Sequence, residues 1–430
     1  MNNEPKKTTQ RADWIALGLI LLLAIFYILT LTQVPFHPDE STHLYMSRDL
    51  STFFQDPQAL VWDGSLPLSD EQRIRAIDAP LAKVWIGIGR GIFSVPALQA
   101  DWNWSASWAE NGDRGALPSP RQLLISRGAV TLALAAGLWL FYLAVKKTLP
   151  SYAGLAAVVL LGLNPLVLLH GRRAMSEGIL LFSLGFFLWT ATREKRQPWL
   201  IGLAFALALN AKHTALGLLP AALYAVSLVP GQKPQPGRIA SRSLRFLLAA
   251  AVLTALLNPF YWRQPVQALQ VGLESRFSLS RQQEIDHLSA IGTDQLTVGQ
   301  RGLALVANTF ITSPQTEEVG NYLAETRQSR QEYLSNPVNS WGRGPIAGGA
   351  LLILSLLGFA LTVKQLVSQP DEGHPTRLIW ILSTLGLGLV LFLPLPWQRY
   401  VIPLLPFSVF WIISGLVPLV DGLRRERPSS

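Results

Sequence analysis

The chain has 430 residues, 50% hydrophobic and only 15% charged, with 29 prolines, 33 glycines and no cysteine. Soluble domains carry about 25% charged residues, so the apolar excess excludes an ordinary soluble core, and the lack of cysteine excludes disulfide and thiolate chemistry. The formal net charge of +9 reads most economically as basic cytoplasmic loops facing anionic lipid, with no nucleic-acid partner.

A membrane span needs about 20 apolar residues. The first run, 14–31, has no small-residue cleavage site behind it and reads as a retained span, not a signal peptide. The segment 81–98 is apolar but holds Lys83, Arg90 and three glycines, which predicts a helix lying in the membrane interface. Runs at 123–145, 152–169 and 178–192 follow. The stretch 199–229 is interrupted by Asn210, Lys212, His213 and Pro220, and divides into two short spans at a polar hinge. Runs at 246–258, 346–363, 378–393 and 401–420 bring the expected total to ten.

With the N-terminus inside, every short inside segment is basic, from Lys6-Lys7 through Lys146-Lys147 and the 233–245 linker to Arg424-Arg425. The expectation is a multi-pass protein of the plasma (inner) membrane with both termini cytoplasmic. A tail at 1–13 leads into a transmembrane domain at 14–420, and a second tail follows at 421–430. Two long outer loops, about 32–121 and 260–344, form an extracytoplasmic crown, with short helices expected at 266–279 and 298–309. The predicted fold class is therefore an all-α integral membrane bundle of about ten transmembrane helices under a crown that includes interfacial helices.

The polar residues on the predicted outer face are few. The first loop opens with Phe36-His37-Pro38-Asp39-Glu40. An acidic pair beside a span is costly unless paired, solvated or used, so it reads either as an exposed loop carboxylate or as a general base for an acceptor hydroxyl. His37, His43 and Asp39 offer a metal set, without any established zinc spacing. The turn His170-Gly171-Arg172-Arg173 runs against the charge bias; its arginines suit either headgroup snorkelling or bidentate phosphate binding, and Glu177 is placed to pair with one of them. Lys212 interrupts an apolar stretch and requires a partner or a watery cavity. Arg263 serves as an interfacial anchor or a phosphate ligand, and Arg399-Tyr400 closes a tight outer turn. Cations and a carboxylate on one membrane face fit a lipid-linked phosphate bearing a sugar. A non-enzymatic transporter or assembly protein for an anionic or lipid-linked substrate is the alternative, since it would also line a cavity with cations.

The order of these features resembles the GT-C superfamily of polyprenyl-phosphate-sugar glycosyltransferases, in the branch of protein O-mannosyltransferases and lipid A aminoarabinose transferases. The acidic pair of the first outer loop is matched by Asp39-Glu40, and the proline turn before a surface helix by Asp78-Ala79-Pro80-Leu81-Ala82-Lys83. A span opening with arginine is matched by Arg127, and the Arg-x-x-x-Asp/Glu turn by Arg173 and Glu177. Lys212 breaks a later span, and Arg399-Tyr400-Val401-Ile402-Pro403 closes the pattern. The resemblance implies a polyprenyl-phosphate-sugar donor, a lipid, glycan or protein acceptor, and inverting transfer with Asp39 as the base. It implies phosphate ligands among Arg399, Lys212, Arg172, Arg173 and Arg263, with Glu40, Glu177, His37, Lys83 and Tyr400 in support. No cofactor is called for, and a divalent cation is left open. The 260–344 loop has no obvious separate domain, so the large added module of eukaryotic O-mannosyltransferases has no counterpart there.

Overall fold

The computed structural model describes residues 4–228, 235–290, 296–317, 320–368, 374–392 and 397–425. Lys233 of the expected basic linker and Pro394-Leu395-Pro396 of the last outer turn lie outside the described residues. Among the described residues every regular element is helical. Five helices are long and apolar enough to cross a membrane, and five more are apolar but shorter. Of the ten predicted spans, five coincide with these full-length helices, and the other five fall on helices shorter than a span needs.

The long first helix, α1 (Glu4–Leu29), leaves Leu21, Leu22, Ile25 and Leu29 exposed along its length. The first loop then folds into short capped helices. In α2 (Pro38–Met46), His37 caps the N-terminus and proline occupies the first turn, where its missing N–H costs nothing. α3 (Asp49–Gln55) and α4 (Asp70–Ile77, capped by Ser69) lead to α5 (Leu81–Ile92), the helix expected over 81–98. It is amphipathic, with Leu81, Ala82, Ile86 and the stem of Lys83 buried and Ile88 and Ile92 exposed. α6 (Trp108–Asp113) is closed by a Ser107/Glu110 capping box.

The second half of the bundle core begins with α7 (Pro120–Val145), capped by Ser119. The expected span 152–169 is two helices, α8 (Ser151–Gly162) and α9 (Pro165–His170). The break falls at Asn164-Pro165, where Asn164 caps α9 and Pro165 cannot continue α8. α10 (Ser176–Ala191) packs closely on α7: a Cβ on Gly185 would stand 2.5 Å from the Gly137 carbonyl, so only glycine permits this crossing. α11 (Pro198–Ala211) ends at Lys212, whose extended backbone starts a 3₁₀ turn, His213–Leu218, before α12 (Leu219–Ser227). This is the predicted polar hinge.

α13 (Pro236–Leu257) packs on α11. The segment 260–344 holds α14 (Pro265–Ala290), α15 (Val298–Phe310) and α16 (Arg327–Ser335); α15 falls where a helix over 298–309 was expected, and α14 starts as expected but runs well past 279. α17 (Pro345–Ser368) and α18 (His374–Leu391) follow. A 3₁₀ turn over Gln398–Leu404 opens α19 (Leu405–Arg425). The core is continuous through α1, α7, α8, α10, α11, α18 and α19, with Trp380 stacked on Phe410 at 3.9 Å. One end of the bundle is tied by Asp13, which accepts from Lys146 at 2.6 Å and from Tyr142 at 2.8 Å. The far end carries the acidic pair.

Candidate functional site

At that end, two neighbouring carboxylates on α2 have opposite fates. Glu40 is fully buried and grips Arg127 with both oxygens, at 2.8 and 2.7 Å. It also accepts the backbone N–H of Ala174 at 2.8 Å and of His37 at 3.1 Å. Arg127 in turn donates to the carbonyls of Leu31 and Val34 at 2.9 and 2.7 Å. Burial pushes the Glu40 carboxyl up, but Arg127 outweighs it, with help from Arg173 and the Ala174 N–H, and the net shift is downward. This knot ties the end of α1, the start of α2, the first turns of α7 and the turn before α10.

Asp39, one residue earlier, points to the other side. Its carboxylate accepts from Arg399, in the 3₁₀ turn before α19, and remains 28% exposed against 12% for Arg399. Burial alone raises the Asp39 carboxyl; Arg399, His37 and His43 together reverse this and hold it below the usual carboxylate range. His37 accepts the Asp39 N–H through Nδ1 at 3.1 Å, so the α2 cap fixes the backbone that presents Asp39.

Next to Arg399 stands Tyr400, with Lys212 Nζ 5.1 Å and Arg399 Cζ 5.8 Å from its ring centre. Lys212 pairs with the buried Glu177 at 2.8 Å. Two cations therefore meet at one aromatic ring beside Asp39. The close approach of Gly217 to Gly386, backbone to backbone, holds the 3₁₀ turn after Lys212 against α18.

On the other flank of Asp39, Thr42 donates to Asp101 at 2.7 Å, and Lys83 stands 3.7 Å from Asp78. Burial lowers the Lys83 ammonium and the His43 imidazole, and raises the Asp101 carboxyl. Asp101 was not singled out by sequence reading: a lone aspartate deep in a loop carries no local pattern. Arg127 was noticed only as a span opening, although its pairing with Glu40 organises the site.

The remaining predicted residues lie elsewhere or are committed. Arg172 is buried and donates to the Leu168 carbonyl and the Thr30 hydroxyl at 2.5 Å each. Arg173 donates to the carbonyls of Pro35 at 3.2 Å and Thr316 at 2.9 Å. Both guanidinium groups tie loops together. Arg263 is exposed on the surface, where its charge acts on Asp63. The five predicted cations thus divide: Arg399 and Lys212 share one ring, and the other three occupy different surroundings. His37, His43 and Asp39 do not form a metal set, and among the described residues no group of three or more histidine, aspartate or glutamate side chains does.

No family model and no curated protein sequence matches the chain. Solved structures do. The fold is similar to the crystal structure of the Archaeoglobus fulgidus oligosaccharyltransferase tethered to an acceptor peptide with an NVT sequon. The TM-score is 0.52 at 10% identity, over 97% of this chain and 51% of that one. It is similar also to oligosaccharyltransferase AglB of the same organism in complex with an inhibitory peptide and a dolichol-phosphate, at 0.51 and 10% identity, over 97% and 52%. The chain spans about half the length of these structures. At this identity the likeness shows a shared fold alone.

Proposed function

We propose that the chain is a membrane glycosyltransferase that moves a sugar from a polyprenyl-phosphate donor to an acceptor hydroxyl on the extracytoplasmic face. The observation that carries this reading is a trio of neighbours: a partly exposed carboxylate, Asp39, facing Arg399, with Lys212 beside the same tyrosine ring. A phosphate-linked sugar needs cations at the phosphate and a carboxylate at the acceptor, a few ångströms apart. The shared fold supports the same reading, because one similar structure holds a dolichol-phosphate.

In this mechanism Arg399 and Lys212 take the donor phosphate, and Glu177 orients Lys212. Phosphate competes with Asp39 for Arg399, and the carboxylate that loses its cation becomes a better base. The acceptor oxygen bonds to the anomeric carbon, its proton passes to Asp39, and the bond from that carbon to the phosphate oxygen breaks. Polyprenyl phosphate leaves with the electron pair, held by the two cations, and the anomeric configuration inverts. Glu40, through Arg127 and the α2 cap, is a positioning residue for Asp39. Arg172 and Arg173, bonded to loop oxygens, are not among the donor ligands in this scheme, and Arg263 is an interfacial anchor.

The test is donor consumption by purified protein with a panel of radiolabelled lipid-phosphate sugars. Asp39→Asn is expected to lower turnover by about 10²- to 10⁴-fold, the usual contribution of a general base, while leaving donor affinity nearly intact. Turnover at the parent rate in that variant removes Asp39 from the mechanism.

A further inference from the structure

The first turns of α14 present two opposite apolar faces. On one, Ala268 is fully buried and Gly272 closes on α4, where a Cβ would stand 3.0 Å from the Ala76 carbonyl. This face belongs to a small apolar cluster of its own, built from Trp62, Ala76, Phe260 and Ala268. On the other, Val266, Leu269, Leu273 and Phe277 recur at helical spacing and are 49–70% exposed. Exposed Gln267, Gln270 and Glu274 border this strip on one side. It covers about 16 Å at 1.5 Å per residue. The helix cannot roll to hide the strip, because α4 holds its inner face and is itself held. Arg75 of α4 grips Asp49 at 2.8 and 2.7 Å, and Glu71 accepts from Tyr45 at 2.6 Å and from Arg48 at 3.0 Å.

The strip continues a surface that begins on a membrane span. α13 is long and apolar enough to cross a bilayer, and Leu244, Leu248, Val252 and Leu256 stand exposed along one side of it. Trp262 follows, three residues before α14, and its indole N–H folds back to the Ala255 carbonyl in the last turn of α13 at 2.6 Å. Phe53 of α3 meets Trp262 edge-on at 6.0 Å, and Phe54, against Phe53, is exposed. Apolar surface therefore passes from the flank of α13, over a tryptophan and a phenylalanine, onto α14. Tryptophan at the end of a span belongs to the boundary between hydrocarbon and headgroups, so α14 starts at that depth. An apolar strip bordered by polar side chains is the pattern of a helix lying in that boundary.

We propose that α14 is a membrane-docking helix whose partner is the lipid surface at this end of the bundle. Val266, Leu269, Leu273 and Phe277, with Phe54 and Trp262, enter the headgroup boundary, while Gln267 and Glu274 stay in water. The docked helix carries α4 on its inner face, and α4 is bonded to Tyr45 of α2, the helix that presents Asp39. The bilayer thus becomes a support for the first loop as well as the solvent of the spans.

The sequence has no cysteine, so a nitroxide on one introduced cysteine reports one position. Full-length protein in vesicles of phosphatidylcholine and phosphatidylglycerol carries the label at Leu269→Cys, Leu273→Cys, Gln267→Cys or Glu274→Cys, and at Val252→Cys on α13. Collision of the label with oxygen, which concentrates in hydrocarbon, is compared with collision with a water-soluble nickel complex. Labels at 269, 273 and 252 are expected to favour oxygen, and labels at 267 and 274 to favour nickel, a reversal across one helix. Nickel-dominated labels at 269 and 273, matching those at 267 and 274, overturn the proposal, because the strip then faces water. Labels at 269 and 273 shielded from both reagents and broadened by a second spin overturn it in favour of a second copy of the chain. A nickel-dominated label at 252 removes the span that the strip continues, and overturns it as well. No turnover is measured, so the result is independent of the activity proposed for Asp39.

Discussion

At the scale of single residues, adjacent carboxylates on α2 carry different duties because their partners differ. Glu40 is sealed against Arg127, and removing one partner of a buried pair strands the other charge, at a cost of about 3–5 kcal/mol. Glu40→Ala and Arg127→Ala are each expected to lower the thermal midpoint steeply, whereas the double replacement should cost less than the two added together, as measured by a double-mutant cycle. The pair also carries a sign with pH. The folded-state pKa of Glu40 is depressed, so its stabilisation is present above the ordinary carboxylate range and is lost as pH falls through the lower folded value. Asp39 behaves differently, because Arg399 is its main opposing charge against burial. Arg399→Gln removes that charge and should raise the Asp39 pKa, moving the acid limb of kcat/KM to higher pH while KM for the donor increases. An unmoved acid limb with a raised KM would separate Arg399's hold on the phosphate from any hold on the base.

At the scale of elements, the bundle places its site residues through breaks in helices. Lys212 lies where α11 ends in an extended residue, and the following 3₁₀ turn is pressed on α18 through Gly217 and Gly386. A side chain at Gly386 would collide with the Gly217 carbonyl, backbone against backbone, with no flexible group to yield. Gly386→Val is expected to cost about 1–3 kcal/mol, in the range of overpacking, and to raise donor KM by displacing Lys212 from Tyr400. Stability and KM measured together check this; a lower melting point with unchanged KM would mean that the contact supports the fold and not the site. The break at 210–213 was legible in the sequence because polar residues interrupt an apolar run. The break at Asn164-Pro165 was equally written there, yet hydrophobic length outweighed it and 152–169 read as one span. Arg172 and Arg173 show the deeper limit of sequence reading. Their charge and side were visible, but their acceptors, the Thr30 hydroxyl and the carbonyls of Pro35 and Thr316, come from loops far away in the chain. The Asp39–Arg399 contact spans 360 positions and was reachable only through the argument that both lie on one face.

At the scale of the whole molecule, the proposed chemistry requires that this face be the outer one. Charge bias supplies the direction: the basic segments cluster at the turns opposite the acidic pair, and cytoplasmic loops are the ones that gather lysine and arginine. In the proposed orientation the Asp13–Lys146 contact lies at the cytoplasmic end, and Asp39 and Arg399 lie at the other. The chain contains no cysteine, so single cysteines report position without background. Gln58 and Glu194 are exposed and lie at opposite ends of this scheme. In intact cells, Gln58→Cys is expected to react with a membrane-impermeant maleimide, while Glu194→Cys should react only after the membrane is permeabilised. The reverse pattern would turn the bundle over. A lipid-linked donor presented at the outer leaflet would then never meet Asp39, and the transferase reading would fall, because it depends on which leaflet that end of the bundle meets.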